Sequence, residues 1–222
     1  MDFNGTTGFT SAGDSTSLDV TTKLTIAFWM NRTSGTKVHW GKYNLTGVQN
    51  YGYLLQIFTD NNIYWVVSTD GSDTKYYLSS SANDLVGWHH LAATYNSGTM
   101  VVYVDGVSIG ITLGSGPIPT TIANSNSDFG NRYGDTRYTQ GQSDCVLVYS
   151  RVLSASEIYS LAQSRVCNPN TDNLVLYYRF DAGIDGATGT GTNVILDRSG
   201  NGNHATVTGG ATWKAPGWVS YP

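Results

Sequence analysis

The stretch from Trp88 to Gly106 limits the fold more than any other part of the chain. Leu91, Ala93 and Tyr95 alternate with His90, Ala92 and Thr94. Asn96-Ser97-Gly98 interrupts, and Met100, Val102 and Val104 then alternate with Val101 and Tyr103. Successive side chains of a strand point to opposite faces, so the pattern predicts two strands joined by a tight turn. Asn and Gly tolerate the positive φ of hairpin turns, and Asp105-Gly106 offers the same chemistry for a following turn. An isolated hairpin is marginal in water, so this one requires a larger sheet around it.

The rest of the chain supplies candidates for that sheet. Asp2-Phe3-Asn4-Gly5 reads as a short strand running into a turn, and Leu24, Ile26, Phe28 and Met30 share one face of the next. Further strands are expected at 53–58, 63–68, 75–78, 108–113 and 144–149, with Asp60-Asn61-Asn62 and Asp70-Gly71-Ser72 as punctuation. The stretch 114–128, with Pro117 and Pro119, reads as loop. One helix is expected after Ser154, with Ile158, Leu161 and Ala162 as its apolar stripe. Ser154 and Glu157 have the spacing of a capping box, and Leu153 can staple onto Ile158. Glu157 is the sole glutamate, and the cap accounts for it.

Composition excludes several classes of function. Charged residues make up 13% of 222, against about a quarter in ordinary domains. The formal charge of −4 and the lack of any Lys/Arg run argue against a nucleic-acid partner. No apolar run approaches a membrane span, so membrane insertion is not expected. Met1-Asp-Phe-Asn-Gly carries neither a basic nor an apolar leader region, which suits a chain used without Sec export or a domain taken from a longer protein. Cys145 and Cys167 are the two cysteines; they can pair as one disulfide or stay as buried thiols, and two thiols carry no compartment signal.

At this point the sequence resembles a known family. Leu24-Thr-Ile-Ala-Phe-Trp29, Trp88-His-His-Leu-Ala92, Val102-Tyr-Val-Asp-Gly106 and the stretch 141–158 are similar, in order, to the signatures of bacterial and phage laminin-G-like domains of the concanavalin A-like lectin/glucanase superfamily. In the last stretch Asp144, Val146, Tyr149, Arg151, Leu153, Ser154 and Glu157 match, whereas Cys145 replaces a second acidic residue. The resemblance implies an all-β fold, a two-sheet antiparallel jelly-roll sandwich with one short helix. Residues 174–181, 194–205 and 209–213 resemble the opening of such a domain, yet come last. The order therefore looks circularly permuted. Residues 1–165 would form the sandwich core, and 166–222 would complete it, either within the same chain or by donation to a neighbouring copy.

Chemistry is expected at two places. Asp197-Arg-Ser-Gly-Asn-Gly-Asn203 puts oxygen-bearing side chains at alternate positions with Gly202 in sixth place, the spacing of a Ca²⁺ loop. The twelfth position is Thr208, so the closing glutamate is missing; the resemblance points to Asp144 as the further carboxylate beside Asp197, Asn201 and Asn203. An Asx-rich turn without metal explains the same residues. The loop 131–138, with Arg132, Tyr133, Asp135, Arg137 and Tyr138, has the aromatic, acidic and basic content with which a lectin stacks on a sugar and reads its hydroxyls, as does 43–51. The superfamily's glucanases use paired glutamates, which this chain lacks, and the resemblance assigns His89 and His90 to structure. A non-enzymatic role is expected. One reading is a display protein of a phage particle, as capsid decoration or tail component, with other virion proteins or copies of itself as partners. The alternative is a carbohydrate-binding module of a secreted or cell-surface protein, with glycans as partners.

Overall fold

The computed structural model describes residues 1–44, 50–69, 75–80, 85–110, 112–113, 122, 129–131, 138–164, 166–181 and 194–214. Strands β1 (Asp2–Asn4), β2 (Phe9–Ser11), β3 (Lys23–Arg32), β4 (Val38–Asn44), β5 (Asn50–Ile57), β6 (Ile63–Ser68) and β7 (Lys75–Ser80) come first. They are followed by β8 (Gly87–Asn96), β9 (Thr99–Val104), β10 (Val107–Ile109), β11 (Thr112–Leu113), β12 (Phe129–Gly130) and β13 (Gln140–Tyr149). Helix α1 (Ala155–Gln163) and strands β14 (Leu174–Tyr178), β15 (Val194–Ile195) and β16 (Ala205–Thr208) complete the chain. The first sheet runs β1-β13-β3-β8-β9-β10 with β14 also on β13, and the second runs β11-β7-β6-β5-β4-β12-β2-β16-β15. All pairings are antiparallel. The fold is the expected two-sheet jelly-roll sandwich.

The alternation of the opening hairpin sets the register. Leu91 faces Val104 and Tyr95 faces Met100 across β8 and β9, and β3 pairs with β8 over ten residues. Ser97 and Gly98 at one turn, and Asp105 and Gly106 at the next, have positive φ. Leu24, Ile26, Phe28 and Met30 point inward with Leu91, Ala93 and Tyr95, against Trp40, Leu55, Ile57, Trp65 and Val67 of the second sheet. Two indoles tie the layers: Trp65 Nε1 donates to Thr94 O at 3.1 Å and Trp40 Nε1 to Ser143 Oγ at 3.1 Å. Burying one such ring contributes roughly 4–6 kcal/mol as an upper bound, before chain entropy is subtracted.

One expectation changes, and one strand was not foreseen. The run 108–113 is not one strand, because the chain leaves the first sheet after β10 and enters the second at β11, with Gly110 at the break. Strand β4 interrupts the simple apolar alternation: Val38 and Trp40 point inward, but so does the charged Lys42, 1% exposed.

The C-terminal strands belong to both sheets. Strand β14 pairs with β13 beyond the short β1, and β16 pairs with β2. Asp2 and Thr212 exchange two backbone hydrogen bonds of 2.8 Å. Tyr178 and Phe180 pack on Trp40 with ring centroids 6.2 and 5.9 Å away, alongside Phe3 at 6.2 Å. On the outer face of the first sheet, Ile158 of α1 and Leu153 cover Trp29, Leu147 and Tyr149. The helix starts on the expected capping box, with Ser154 Oγ accepting from Glu157 N and Glu157 Oε2 accepting from Ser154 N at 2.8 Å. Cys145 and Cys167 form a disulfide, with Cα atoms 5.6 Å apart.

Candidate functional site

Of the residues expected to contact a sugar, Arg132, Tyr133, Asp135 and Arg137 lie outside the described residues. Both roots of their loop are described, and both are fixed on the second sheet. Asn131 is fully buried, and its Oδ1 accepts from Thr10 N at 2.7 Å and from Thr10 Oγ1 at 3.0 Å. On the other side Tyr138 is half-buried, its ring 6.4 Å from that of Phe9. Thr139 Oγ1 lies 3.5 Å from His39 Nδ1, and Gln140 N donates to Lys37 O at 2.7 Å.

The outer side of the second sheet follows from alternation within β4, β5 and β6. Because Val38 and Trp40 face the core, His39 and Gly41 face outward, and cross-strand register aligns His39 with Gln56 and Tyr64. The next row is Ser11, Gly130, Gly41, Leu54 and Val66. Tyr43, Leu54 and Val66 form a small apolar cluster with Tyr64, and the His39 ring meets Tyr43 edge-on at 6.2 Å. Gly41 and Gly130 lie opposite each other. A Cβ at Gly41 would sit 2.3 Å from Tyr53 O, and one at Gly130 2.0 Å from Thr10 O, so no side chain fits there. His39, Gly41, Tyr43, Leu54, Val66 and Gly130 are themselves buried, and the partly exposed groups of this region are the rings of Phe9, Tyr64 and Tyr138, the hydroxyl of Ser11 and the carboxamide of Gln56: flat surfaces for stacking on a pyranose face and groups for bonding its hydroxyls. Sequence reading had selected the loop but not Phe9, His39 or Tyr64. The Val38-His-Trp-Gly alternation was the signal that could have found β4.

The opposite face of the sandwich carries a shallow cavity of about 320 Å³ beside α1, lined by Tyr149, Leu161, Ser156, Ser160, Asn168 and Glu157 among others. Glu157 is committed there. Arg151 Nη2 donates to it at 2.7 Å and Ser154 N at 2.8 Å, and these contacts hold its carboxyl down at about 2. A glycosidase acid needs the reverse shift. His89 and His90 are each engaged in holding the fold. His89 Nδ1 lies 2.8 Å from Asp105 Oδ2, a contact that raises the His89 pKa, and Asp105 Oδ1 accepts from His90 N at 2.8 Å. Burial pushes the His90 imidazole down to about 4, so it sits neutral against Trp29. The Trp-His-His and Asp-Gly signatures are thus one clamp holding β8 to the β9–β10 turn.

The expected calcium ligands are arranged differently from a calcium shell. Asp197 is 6% exposed, and its two oxygens accept four hydrogen bonds: Oδ1 from Tyr177 N and Ser199 N, both 2.9 Å, and Oδ2 from Ser199 Oγ at 2.8 Å and Asn203 N at 2.9 Å. A carboxylate has about four lone-pair directions, so none is left for a cation. Asn201 Nδ2 donates to Leu174 O, and Asn203 Nδ2 to Val175 O and Ser17 Oγ. Asp144 makes no hydrogen bond to this turn; its Oδ1 accepts from Cys145 N at 2.7 Å, and burial raises its pKa. Among the described residues no three His, Cys, Asp or Glu side chains gather around one point. In this arrangement the residues do not fit a calcium shell. The turn is an Asx-type fastener of the C-terminal segment to β14 and to the 3₁₀ turn Thr16–Leu18.

Comparison with known proteins agrees with the fold. The family model Laminin_G_3, of the concanavalin A-like lectin/glucanases superfamily, matches residues 4–159. No curated protein matches the chain significantly in sequence. Among solved structures, a Bacteroides ovatus protein described provisionally as carbohydrate binding is 20% identical with a TM-score of 0.62, over 96% of this chain and 59% of its own. The heptameric SAP-like pentraxin of Limulus polyphemus is 13% identical with a TM-score of 0.58, over 95% of this chain and 94% of its own. Domains LG4-5 of the mouse laminin alpha1 chain are 17% identical with a TM-score of 0.50, over 69% and 44%. None of these three is a virus-particle protein, and identities this low show likeness of fold alone. With residues 4–159 matched by the family model, the protein belongs to the laminin-G-like branch of the concanavalin A-like lectin/glucanases superfamily.

Proposed function

We propose that this chain is a non-catalytic carbohydrate-binding module whose ligand face is the outer side of the second sheet at the root of the 132–137 loop. The observation that carries the reading is the pair of half-buried rings of Phe9 and Tyr138 on that face, which also carries the partly exposed Gln56 and Tyr64. The provisional description of the Bacteroides ovatus structure supports it. So does the state of Glu157, which is tied up in a cap and an ion pair and leaves no glutamate for acid catalysis. The disulfide suits an oxidising setting, outside the cell or on its surface. No observation favours the virus-particle reading.

Glycan-array screening followed by titration calorimetry tests the proposal. Stacking on an aromatic ring is worth about 0.5–1.5 kcal/mol, so Tyr138→Ala should weaken binding roughly two- to tenfold. Absence of binding to any glycan, or an unchanged affinity in Tyr138→Ala and Phe9→Ala alike, would remove the reading.

A further inference from the structure

Lys42 is the one charged residue of β4 that points into the sandwich, on the same face as Val38 and Trp40. It is 1% exposed, and its cross-strand partners are Tyr53 and Phe129. Its Nζ meets two carboxylates, Asp14 Oδ1 at 2.8 Å and Asp19 Oδ1 in closer contact. The side chain of Asp19 is 12% exposed and that of Asp14 45%. The segment that carries them is held in place: Tyr53 Oη donates to Leu18 O at 3.2 Å, and Asp19 N donates to Thr16 O at 3.2 Å at the end of the 3₁₀ turn. An ammonium and a carboxylate enclosed by aromatic rings have lost most of their hydration, and a buried ion pair recovers that loss poorly. The ammonium has three N–H donors but only these two acceptors among the described residues. A neutral amide between Nζ and Cγ would remove both charges.

We propose that Lys42 and Asp19 are joined by an intramolecular isopeptide bond, with Asp14 relaying the protons. The amine, the acyl carbon and a proton carrier already stand together on fixed elements, which is what an intramolecular condensation needs in order to proceed without activation by another molecule. Asp14 takes one proton from the Lys42 ammonium and frees the Nζ lone pair, which attacks Asp19 Cγ. The Nζ–Cγ bond forms. A second Nζ proton and the one held by Asp14 pass to an Asp19 oxygen, and the Cγ–O bond breaks to release water. One ammonium and one carboxylate become one amide and one water, with no oxidant or other reactant. Half-exposed Asp14 is also the side from which the water can leave. The bond would tie β4 to the segment before β3, closing a ring between residues 23 positions apart.

Intact mass spectrometry of the full chain, unfolded and with its disulfide accounted for, tests the bond directly. The wild type should be lighter than its sequence by one water, and Lys42→Arg and Asp14→Asn should each have their full sequence mass. Because Asp-Gly sites can also lose water, tandem spectra must place the deficit on a branched tryptic pair joining the peptide of Asp19 to that of Lys42, with cleavage after Lys42 suppressed. A wild-type chain of full mass, or a deficit located elsewhere, overturns the bond. A deficit that persists in Asp14→Asn overturns the role given to Asp14.

Discussion

Replacing Cys145 and Cys167 by alanine opens a ring whose closing residues are 22 positions apart. The bond joins β13 to the segment that leaves α1, so in the folded protein it spans elements already packed together through Tyr149, Leu153 and Ile158. Its effect is therefore exerted mainly on the unfolded chain. The loop-closure relation for 22 residues gives an entropy of about 11 cal/mol/K, or about 3.4 kcal/mol at 25 °C. Alanine at 145 leaves no unpaired polar group at a site 5% exposed. The double variant should therefore lose about 3 kcal/mol of unfolding free energy in urea, with a somewhat steeper denaturant slope because its unfolded chain is less compact, and about 6–12 °C in Tm. The control is a thiol titration of the unfolded wild type, which should find none. A loss below about 1 kcal/mol would refute the reasoning, because the ring would then restrict the unfolded chain far less than its length requires.

Glu157 makes stability depend on acid: its folded pKa of about 2 lies below its ordinary 4.5, so its contribution is complete above pH 4.5 and disappears as pH falls toward 2. With 35% of the side chain exposed and screened, Glu157→Gln should cost about 1–2 kcal/mol at pH 7 and nothing near pH 2; a gap that stays constant between those pH values would contradict the linkage. Native mass spectrometry before and after chelation should give one mass, and loss of a calcium on chelation would mean that the Asp197 hydrogen bonds open to admit the ion. Since β14 and β16 lie beside β13 and β2 of the same chain, sedimentation at micromolar concentration should find single copies; larger species growing with concentration would indicate strands exchanged between chains.

What the sequence revealed follows how local each interaction is. The hairpin from β8 to β9, strand β3 and the start of α1 were legible because alternation, turn residues and the Ser154–Glu157 spacing each act within a few residues. Strand β4 was not, since Lys42 breaks the apolar pattern and is accommodated by Asp14 and Asp19, more than twenty positions away. The division of 108–113 between sheets was equally hidden: Gly110 marks a break, but only the pairing of β11 with β7 shows where the chain goes. For the site, the residues of the 131–138 loop could be listed but not their setting, because Asn131 is fixed by Thr10 from 121 positions away. The Asp197 turn showed the limit of spacing as a guide. Alternate oxygens suit a cation and an Asx turn alike, and the backbone N–H groups of Tyr177 and Asn203 decide between them.

The ladder contact between Asp2 and Thr212 has an architectural outcome. Pulling residues 2 and 212 in opposite directions would load that one seam, borne by two backbone hydrogen bonds of 2.8 Å, and leave the interior unloaded.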